Sequence, residues 1–366
     1  MKRIIISGGG TGGHIFPAIS IADALKASGT ECEILFVGAL GKMEMERVPK
    51  AGYKIIGLPV AGLQRKFTLK NLALPFKLLA SNAKARKIIR EFKPDVAVGV
   101  GGYASAPLLW AASSKGIPCL IQEQNSYAGL TNRKLAPKVQ KICVAYDGME
   151  RFFPAEKILF TGNPLRGDIN PPTEEQRREG YGYYGLDPQK KTLFVVGGSL
   201  GARTLNESVQ KWIVEKGAES GIQILWQSGK YYKEEVEAFL KEHPCPAVKN
   251  LTFIDRMDLA YAVADVIISR AGAGTISELC VEGKATIFVP SPIVTEDHQR
   301  HNAMALVEKG AAMMVLDADA RGCLMDTAEA LLADPEKIAS MEREIIKLGK
   351  KNAAKDIADE VLKLCR

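Results

Sequence analysis

No two of the seven cysteines form a CxxC pair; they stand at 32, 119, 143, 245, 280, 323 and 365. An odd, scattered set argues against a disulfide framework or a cysteine-ligated zinc site and suits a reducing compartment. A secretory leader is not expected at the start either, because MKRIIISGGG offers a basic tip but only a short apolar run before its glycines. One uncharged stretch, Val96–Ser114, spans 19 residues but carries Gly99, Gly101, Gly102, Pro107 and three serines. It reads as a buried strand, a glycine turn and a packed helix rather than a membrane span. A chain of 366 residues that is 46% hydrophobic, 25% charged and 7% aromatic is neither disordered nor collagenous nor a coiled coil. Its length implies two domains.

Acid is nearly absent from one window. Between Gln64 and Lys93 stand Arg65, Lys66, Lys70, Lys77, Lys84, Arg86, Lys87, Arg90 and Lys93 against the single carboxylate of Glu91. The net charge of the whole chain is +7, so the rest of it is close to neutral. The same window holds Phe67, Leu69, Leu72, Leu74, Phe76, Leu78 and Leu79. A basic helix with an apolar flank can sit on anionic lipid, or it can be a solvated face whose leucines fill a core. No aromatic stacking set or nucleic-acid motif accompanies the run, so nucleic acid is not an expected partner.

Short β-branched runs alternate with helical stretches. Strands are expected at Ile4–Ile6, Cys32–Val37, Val96–Val100, Cys119–Gln122, Lys141–Val144 and Ile158–Thr161. The pattern stops at Gly162-Asn163-Pro164, passes a hinge at Ile169–Pro172, and restarts with Lys191–Val196, Gln223–Gln227, Leu251–Ile254, Val266–Ser269, Thr286–Val289 and Ala312–Val315. A charged helical segment covers Pro335–Arg366. Such alternation means parallel α/β sheets. Glycine clusters at Gly8 and Gly197 occupy the first loop of each half, so the expected fold is two Rossmann-like, doubly wound domains facing a cleft.

Each cluster suggests a decoy. Gly8, Gly10 and Gly13 satisfy the dinucleotide fingerprint, but the second strand ends Phe36-Val37-Gly38-Ala39 without the carboxylate that holds a ribose. Gly197-Gly198-Ser199-Leu200-Gly201 satisfies G-x-S-x-G, with His243, His298 and His301 downstream. An NAD-dependent oxidoreductase and a serine hydrolase are thereby minor alternatives. One reading joins the loops: backbone N–H groups at helix N-termini bind phosphate oxygens without a metal. A third loop, Arg270–Thr275, opens a helix carrying Ser277 and Glu278, whose carboxylate can take ribose hydroxyls or merely face the helix dipole.

Seven segments in order carry a resemblance: GGGTGGHIFP at Gly8–Pro17, GVGGY at Gly99–Tyr103, QEQNSYAGLTN at Gln122–Asn132, GNPLR at Gly162–Arg166, VVGGSLGAR at Val195–Arg203, SRAGAGTISEL at Ser269–Leu279 and VPSPIVTEDHQRHNA at Val289–Ala303. Over essentially its whole length the chain resembles the peptidoglycan glycosyltransferases that add N-acetylglucosamine to lipid I to make lipid II. The resemblance implies a GT-B type, inverting enzyme with UDP-N-acetylglucosamine as donor. Its acceptor would be the undecaprenyl-diphosphate-linked MurNAc-pentapeptide, lipid I. Residues 1–162 would form the acceptor and membrane side, 163–345 the donor domain, and 346–366 a helix returning to the first domain.

Carried over by position, the donor contacts are Thr11, Gly12, Gly13, Asn125, Arg166, Ser199, Ile254, then Ala273, Gly274, Thr275, Ile276, Ser277 and Glu278, and finally Gln299. Ile254 would hold uracil through its backbone, Glu278 the ribose and Gln299 the sugar hydroxyls; His298, before Gln299, stands where some relatives have glutamine. Ser199 and the loop around Thr275 would serve the diphosphate. His14 is the candidate base, because a helix N-terminus keeps an imidazole neutral; the alternative is that it only orients the acceptor or its own loop. Helix N-termini and Arg166 supply positive field, so no cofactor or metal is called for. The D-x-D triplet at Asp317 and Asp319 is read as a helix-initiating turn far from the glycine loops. The basic window gains a purpose as a peripheral contact with anionic inner-leaflet lipid at the cytoplasmic face of the membrane, through Leu72, Phe76, Leu79, Lys84, Arg86 and Lys87. Rivals of the same architecture are a transferase to another lipid such as diacylglycerol and a non-catalytic nucleotide-sugar binder.

Overall fold

The structure is a computed structural model that describes residues 1–60, 74–165, 169–217 and 221–365. It divides into two compact units, Met1–Gly167 with Lys350–Arg366, and Asp168–Gly349. The first unit extends past 162 because Asn163 is buried in it, accepting from Gln122 Nε2 at 3.0 Å and donating to the Gln124 carbonyl at 3.1 Å. The second extends past 345 because Gly349 packs against the Cys280 carbonyl.

Unit 1 is a seven-stranded sheet of β1 (Lys2–Ser7), β2 (Cys32–Ala39), β3 (Lys54–Leu58), β4 (Val96–Gly99), β5 (Cys119–Glu123), β6 (Lys141–Val144) and β7 (Ile158–Phe160). Its order is β3-β2-β1-β4-β5-β6-β7, with every pairing parallel. Unit 2 is six-stranded: β8 (Lys191–Val196), β9 (Ile222–Gln227), β10 (Val248–Leu251), β11 (Val266–Ser269), β12 (Thr286–Phe288) and β13 (Met313–Met314). Its order, β10-β9-β8-β11-β12-β13, is again parallel throughout. Helices cover both faces of such sheets, so the central strands read as continuous apolar runs; Ile4, Ile5 and Ile6 are all fully buried.

In each unit the chain reverses its direction of winding between the first strand and its fourth, at β1/β4 and β8/β11. Ligands of open α/β sheets bind outside the carboxyl ends of the strands at such a switch point. The loops there are Gly8–Thr11 and Val100–Ala104 in unit 1, and Gly197–Ala202 and Arg270–Gly272 in unit 2. All four are glycine-bearing segments singled out in the sequence.

The structure corrects several expectations. β3 was not anticipated; its sequence, KIIGL, is short, lies at the sheet edge and starts exposed. Leu251–Ile254 is not a strand beyond its first residue: the strand is Val248–Leu251, an edge strand with little burial, and Ile254 is buried in the turn that follows. The segment 335–366 is two helices, Pro335–Ile346 and Ala353–Leu364. The second belongs to unit 1, where Ile357, Ala358 and Val361 join a core containing Ile4, Ile21, Leu25 and Val98. Its outward face carries the pairs Lys355–Asp359 and Lys363–Glu360.

Candidate functional site

The first glycine loop leads straight into the helix Gly12–Ala27, with Thr11 in extended conformation at its N-cap and no acidic residue in its first turn. The helix therefore sets no carboxylate of its own first turn against its positive end. His14 sits in that first turn, half-buried, with Nδ1 3.1 Å from the Gly9 carbonyl oxygen and 3.4 Å from Thr11 Oγ1. A carbonyl only accepts, so Nδ1 carries the proton and Nε2 presents a lone pair. The second loop of this unit closes over the ring: a Cβ on Gly101 would come within 2.6 Å of His14 Cδ2, and one on Gly102 would overlap the Gly9 oxygen. Both glycines have positive φ, of 99° and 87°.

Beneath the loop lies a residue that the sequence reading missed. Glu44 is fully buried, and its oxygens accept from the N–H groups of Ala39 and Gly10, each at 2.9 Å. The carboxylate missed at the end of β2 is thus supplied five residues later, turned inward onto the backbone rather than outward to a ribose. The signal was Glu44 itself, in a segment read only for strand-terminal acids.

Two of the segments that carry the resemblance also meet here. Glu123 is buried at 2% exposure and accepts from Asn125 N at 3.1 Å, Asn125 Nδ2 at 3.3 Å, Gly129 N at 3.1 Å and Asn132 Nδ2 at 2.9 Å. Burial pushes its carboxyl above the usual range, opposed by these donors. Gln124 donates to the Val100 carbonyl at 2.8 Å and to the Gln122 side chain. Gln122 in turn reaches Asn163. The network ties the ends of β4 and β5 and the Gly162–Pro164 segment together and leaves Asn125 half-exposed on the turn after β5. Arg166 lies outside the described residues.

In unit 2, Ser199 is exposed on a turn whose helix begins only at Arg203. A nucleophile elbow needs its serine at the strand–helix junction itself, so the hydrolase reading fails on geometry. The Ser199 carbonyl accepts from Lys230 N at 3.1 Å. The loop after β11 opens the helix Ala273–Glu282, again with no acid in its first turn. Ala273, Gly274, Thr275, Ser277 and Glu278 are partly exposed on its first turns, while Ile276 is buried. Ser277 Oγ donates to the Ala273 carbonyl at 3.0 Å, and Glu278 Oε2 accepts from Tyr261 Oη at 3.4 Å. Ile254 is 3% exposed, in the turn that follows β10. Gln299, in the first turn of the helix His298–Val307, accepts from Ser291 N at 2.8 Å and so holds its own approach segment.

Asp317 is not far from the glycine loops. It opens the helix Asp317–Leu332, and its oxygens are engaged by Arg270 Nη1 at 2.5 Å and Thr204 Oγ1 at 3.0 Å. Arg270 also donates to the Val289 and Pro290 carbonyls. The pair thus braces the loop that opens the Ala273 helix. The distance in sequence misled because β8, β11 and the helix after β13 converge at the switch point.

Of the basic window, Leu72 and the Phe76 side chain lie outside the described residues. The helix Leu74–Phe92 buries Ala85, Ile88 and Ile89 and leaves Leu79 68% exposed, with Arg86 and Lys87 exposed and Lys84 half-buried. Beside it Trp110, on the helix Ser105–Ser113, is 43% exposed. Trp110 borders a groove of about 430 Å³ lined also by Arg86, Ser113 and Lys138. Trp110 went unnoticed because it lies in the part of the uncharged stretch read as a packed helix. Among the described residues no helix is long and apolar enough to cross a membrane.

Comparison with known proteins bears on both units. Residues 4–144 match the glycosyltransferase family 28 N-terminal domain and residues 192–361 the glycosyltransferase family 28 C-terminal domain. A chain of Parabacteroides distasonis named UDP-N-acetylglucosamine–N-acetylmuramyl-(pentapeptide) pyrophosphoryl-undecaprenol N-acetylglucosamine transferase is 54% identical over 362 residues, covering 99% of this chain and 98% of the relative. A Phocaeicola vulgatus chain of the same name is 56% identical, covering 99% and 96%. The crystal structure of Acinetobacter baumannii MurG aligns with a TM-score of 0.80 at 28% identity, covering 99% of this chain and all of the other.

Proposed function

The chain belongs to glycosyltransferase family 28, and from that premise we propose that it transfers N-acetylglucosamine from UDP-N-acetylglucosamine to the 4-hydroxyl of the MurNAc of lipid I, giving lipid II for peptidoglycan synthesis. It is a glycosyltransferase of the GT-B type, and its product serves cell-wall biogenesis, shape and division. The observation that carries the substrate pair is the near-full-length identity of 54–56% to chains bearing that name. Geometry supports the chemistry.

In the transfer step the acceptor oxygen attacks the anomeric carbon from the face opposite UDP, inverting it. The C–O bond to the diphosphate breaks and UDP leaves with the electron pair. The hydroxyl proton goes to Nε2 of His14, which the Gly9 contact leaves as the accepting nitrogen. Charge growing on the leaving diphosphate is met by the N–H groups at the start of the Ala273–Glu282 helix, with Ser199 and Arg166 beside the phosphates. Glu278 takes the ribose hydroxyls, Ile254 the uracil through its backbone, and Gln299 the sugar. Thr11, Gly12, Gly13 and Asn125 complete the donor contacts. Lipid I is amphiphilic, and its enzyme meets it at a membrane surface. The exposed Leu79, with Leu72, Phe76, Lys84, Arg86 and Lys87, forms a peripheral contact with anionic lipid of the cytoplasmic leaflet.

The test is transfer of labelled N-acetylglucosamine to a short-chain lipid I analogue in EDTA, with UDP-glucose, UDP-galactose and a diacylglycerol acceptor as controls. Transfer with the stated pair alone, surviving the chelator, is the expected result. Transfer to diacylglycerol instead would keep the fold and overturn the function. His14→Ala lowers kcat by about 10²–10⁴-fold if the imidazole is the base, with KM for the donor little changed.

A further inference from the structure

The Gly10 N–H that Glu44 Oε2 accepts and the Gly9 carbonyl that holds His14 Nδ1 belong to one peptide group. A carboxylate, one amide and an imidazole therefore form an unbroken chain, Oε2···H–N–C=O···H–Nδ1. Accepting at an amide hydrogen favours the resonance form with negative charge on the amide oxygen, and hydrogen bonds in series strengthen one another. The Gly9 oxygen thereby becomes a better acceptor for the Nδ1 proton. The chain is tightly enclosed. A Cβ on Gly9 would overlap Glu44 Oε1, one on Gly38 would stand 2.5 Å from Glu44 Cγ, and Gly101 and Gly102 close over the other end.

We propose that Glu44 is a positioning residue for the transfer step: through the Gly9–Gly10 amide it holds the proton on Nδ1 of His14 and keeps Nε2 as the lone pair that takes the acceptor's proton. The proposal rests on the reading of His14 as the base. As the acceptor O–H breaks and its proton passes to Nε2, the ring becomes positive. The Nδ1–H···O=C bond then tightens toward an oxygen already polarised by the carboxylate. Glu44 does here, one peptide removed, what a directly bonded carboxylate does for a catalytic histidine. Its second oxygen, fixed by Ala39 N, keeps the carboxylate from turning away.

Glu44→Gln is nearly isosteric, keeps one acceptor and turns an NH2 toward the other N–H. It is expected to lower kcat about tenfold or more while KM for UDP-N-acetylglucosamine moves by less than about twofold. Nitrogen NMR of labelled His14 is expected to show a single Nδ1–H tautomer in the unaltered chain and a mixture in the variant. A donor KM that rises in step with the loss of kcat, with the tautomer unchanged, overturns the proposal and leaves Glu44 a merely structural group. Should the variant fold poorly, the spectrum of the unaltered chain decides alone: a proton on Nε2 overturns it. His14→Ala run alongside separates the two claims. If that variant turns over like its parent, the base reading falls and takes this one with it; if it is inactive while Glu44→Gln is not, only the present proposal falls.

Discussion

The first loops of the two units occupy the same place in the same strand order, yet they are fastened by opposite means. In unit 1 the loop after β1 rests on a side chain, the buried carboxylate of Glu44. In unit 2 the loop after β8 rests on bare backbone. Gly201 and Gly229 face one another with φ of 89° and 87°, so close that a Cβ on either would overlap the other segment's main chain. The difference teaches what each loop can do. A loop held by an ionisable group can be coupled electrically to its neighbours, as Gly9 is to His14. One held by backbone contact has no such handle and offers rigidity alone, which suits a loop proposed to take phosphate.

The comparison can be broken most sharply at Gly201. Gly201→Ala forces a Cβ into the Ser228 carbonyl at a φ unfavourable to any L side chain, and is expected to cost unit 2 about 3 kcal/mol. Hydrogen exchange should show β8 and β9 losing protection while β1 and β2 keep theirs; equal loss in both units would mean that the contact is not local. A smaller effect is expected from Glu44→Ala, which leaves the Gly10 and Ala39 N–H groups without their acceptor at a cost to unit 1 of about 2 kcal/mol. Unaltered protection of β1 and β2 would show that the carboxylate does not hold the loop.

The third effect concerns pH. Glu282, 6% exposed, has its carboxyl pushed up to about 8 from 4.5, chiefly by burial and against the pull of Lys284. Between those values the native state binds a proton that the unfolded chain has released, so unit 2 loses stability as pH rises through the window and levels off above it. Glu282→Gln removes the titrating group and is expected to flatten that decline between pH 5 and 8. Denaturation at both pH values checks it, and an unchanged slope would reject burial as its source.

Much of this architecture was legible beforehand. Parallel strands buried on both faces announce themselves as apolar runs, and Lys141–Val144, Lys191–Val196 and Val266–Ser269 stand where the pattern put them. Edge strands announce themselves less well, since part of each meets solvent: β7 and β13 lie within expected runs, but β3 was missed and β10 displaced. The glycine loops were visible because positive φ and close approach demand glycine. What brings Glu44 under Gly10, Asp317 to Arg270 or Gln122 to Asn163 was not visible. Those pairings join residues 34, 47 and 41 positions apart, and only the winding of the sheet decides that they meet. Trp110 illustrates the reverse error, an apolar residue in an apolar run that nevertheless faces out.

The returning helix Ala353–Leu364 sets an order on the chain's birth. It is made after the whole of unit 2, yet Ile357, Ala358 and Val361 belong to the core that begins with Ile4. On the ribosome, unit 2 can close while unit 1, although synthesised first, still waits with an uncovered apolar stripe along Ile21 and Leu25. The domain that starts first finishes last. The stripe along Ile21 and Leu25 is closed only when the helix Ala353–Leu364 arrives.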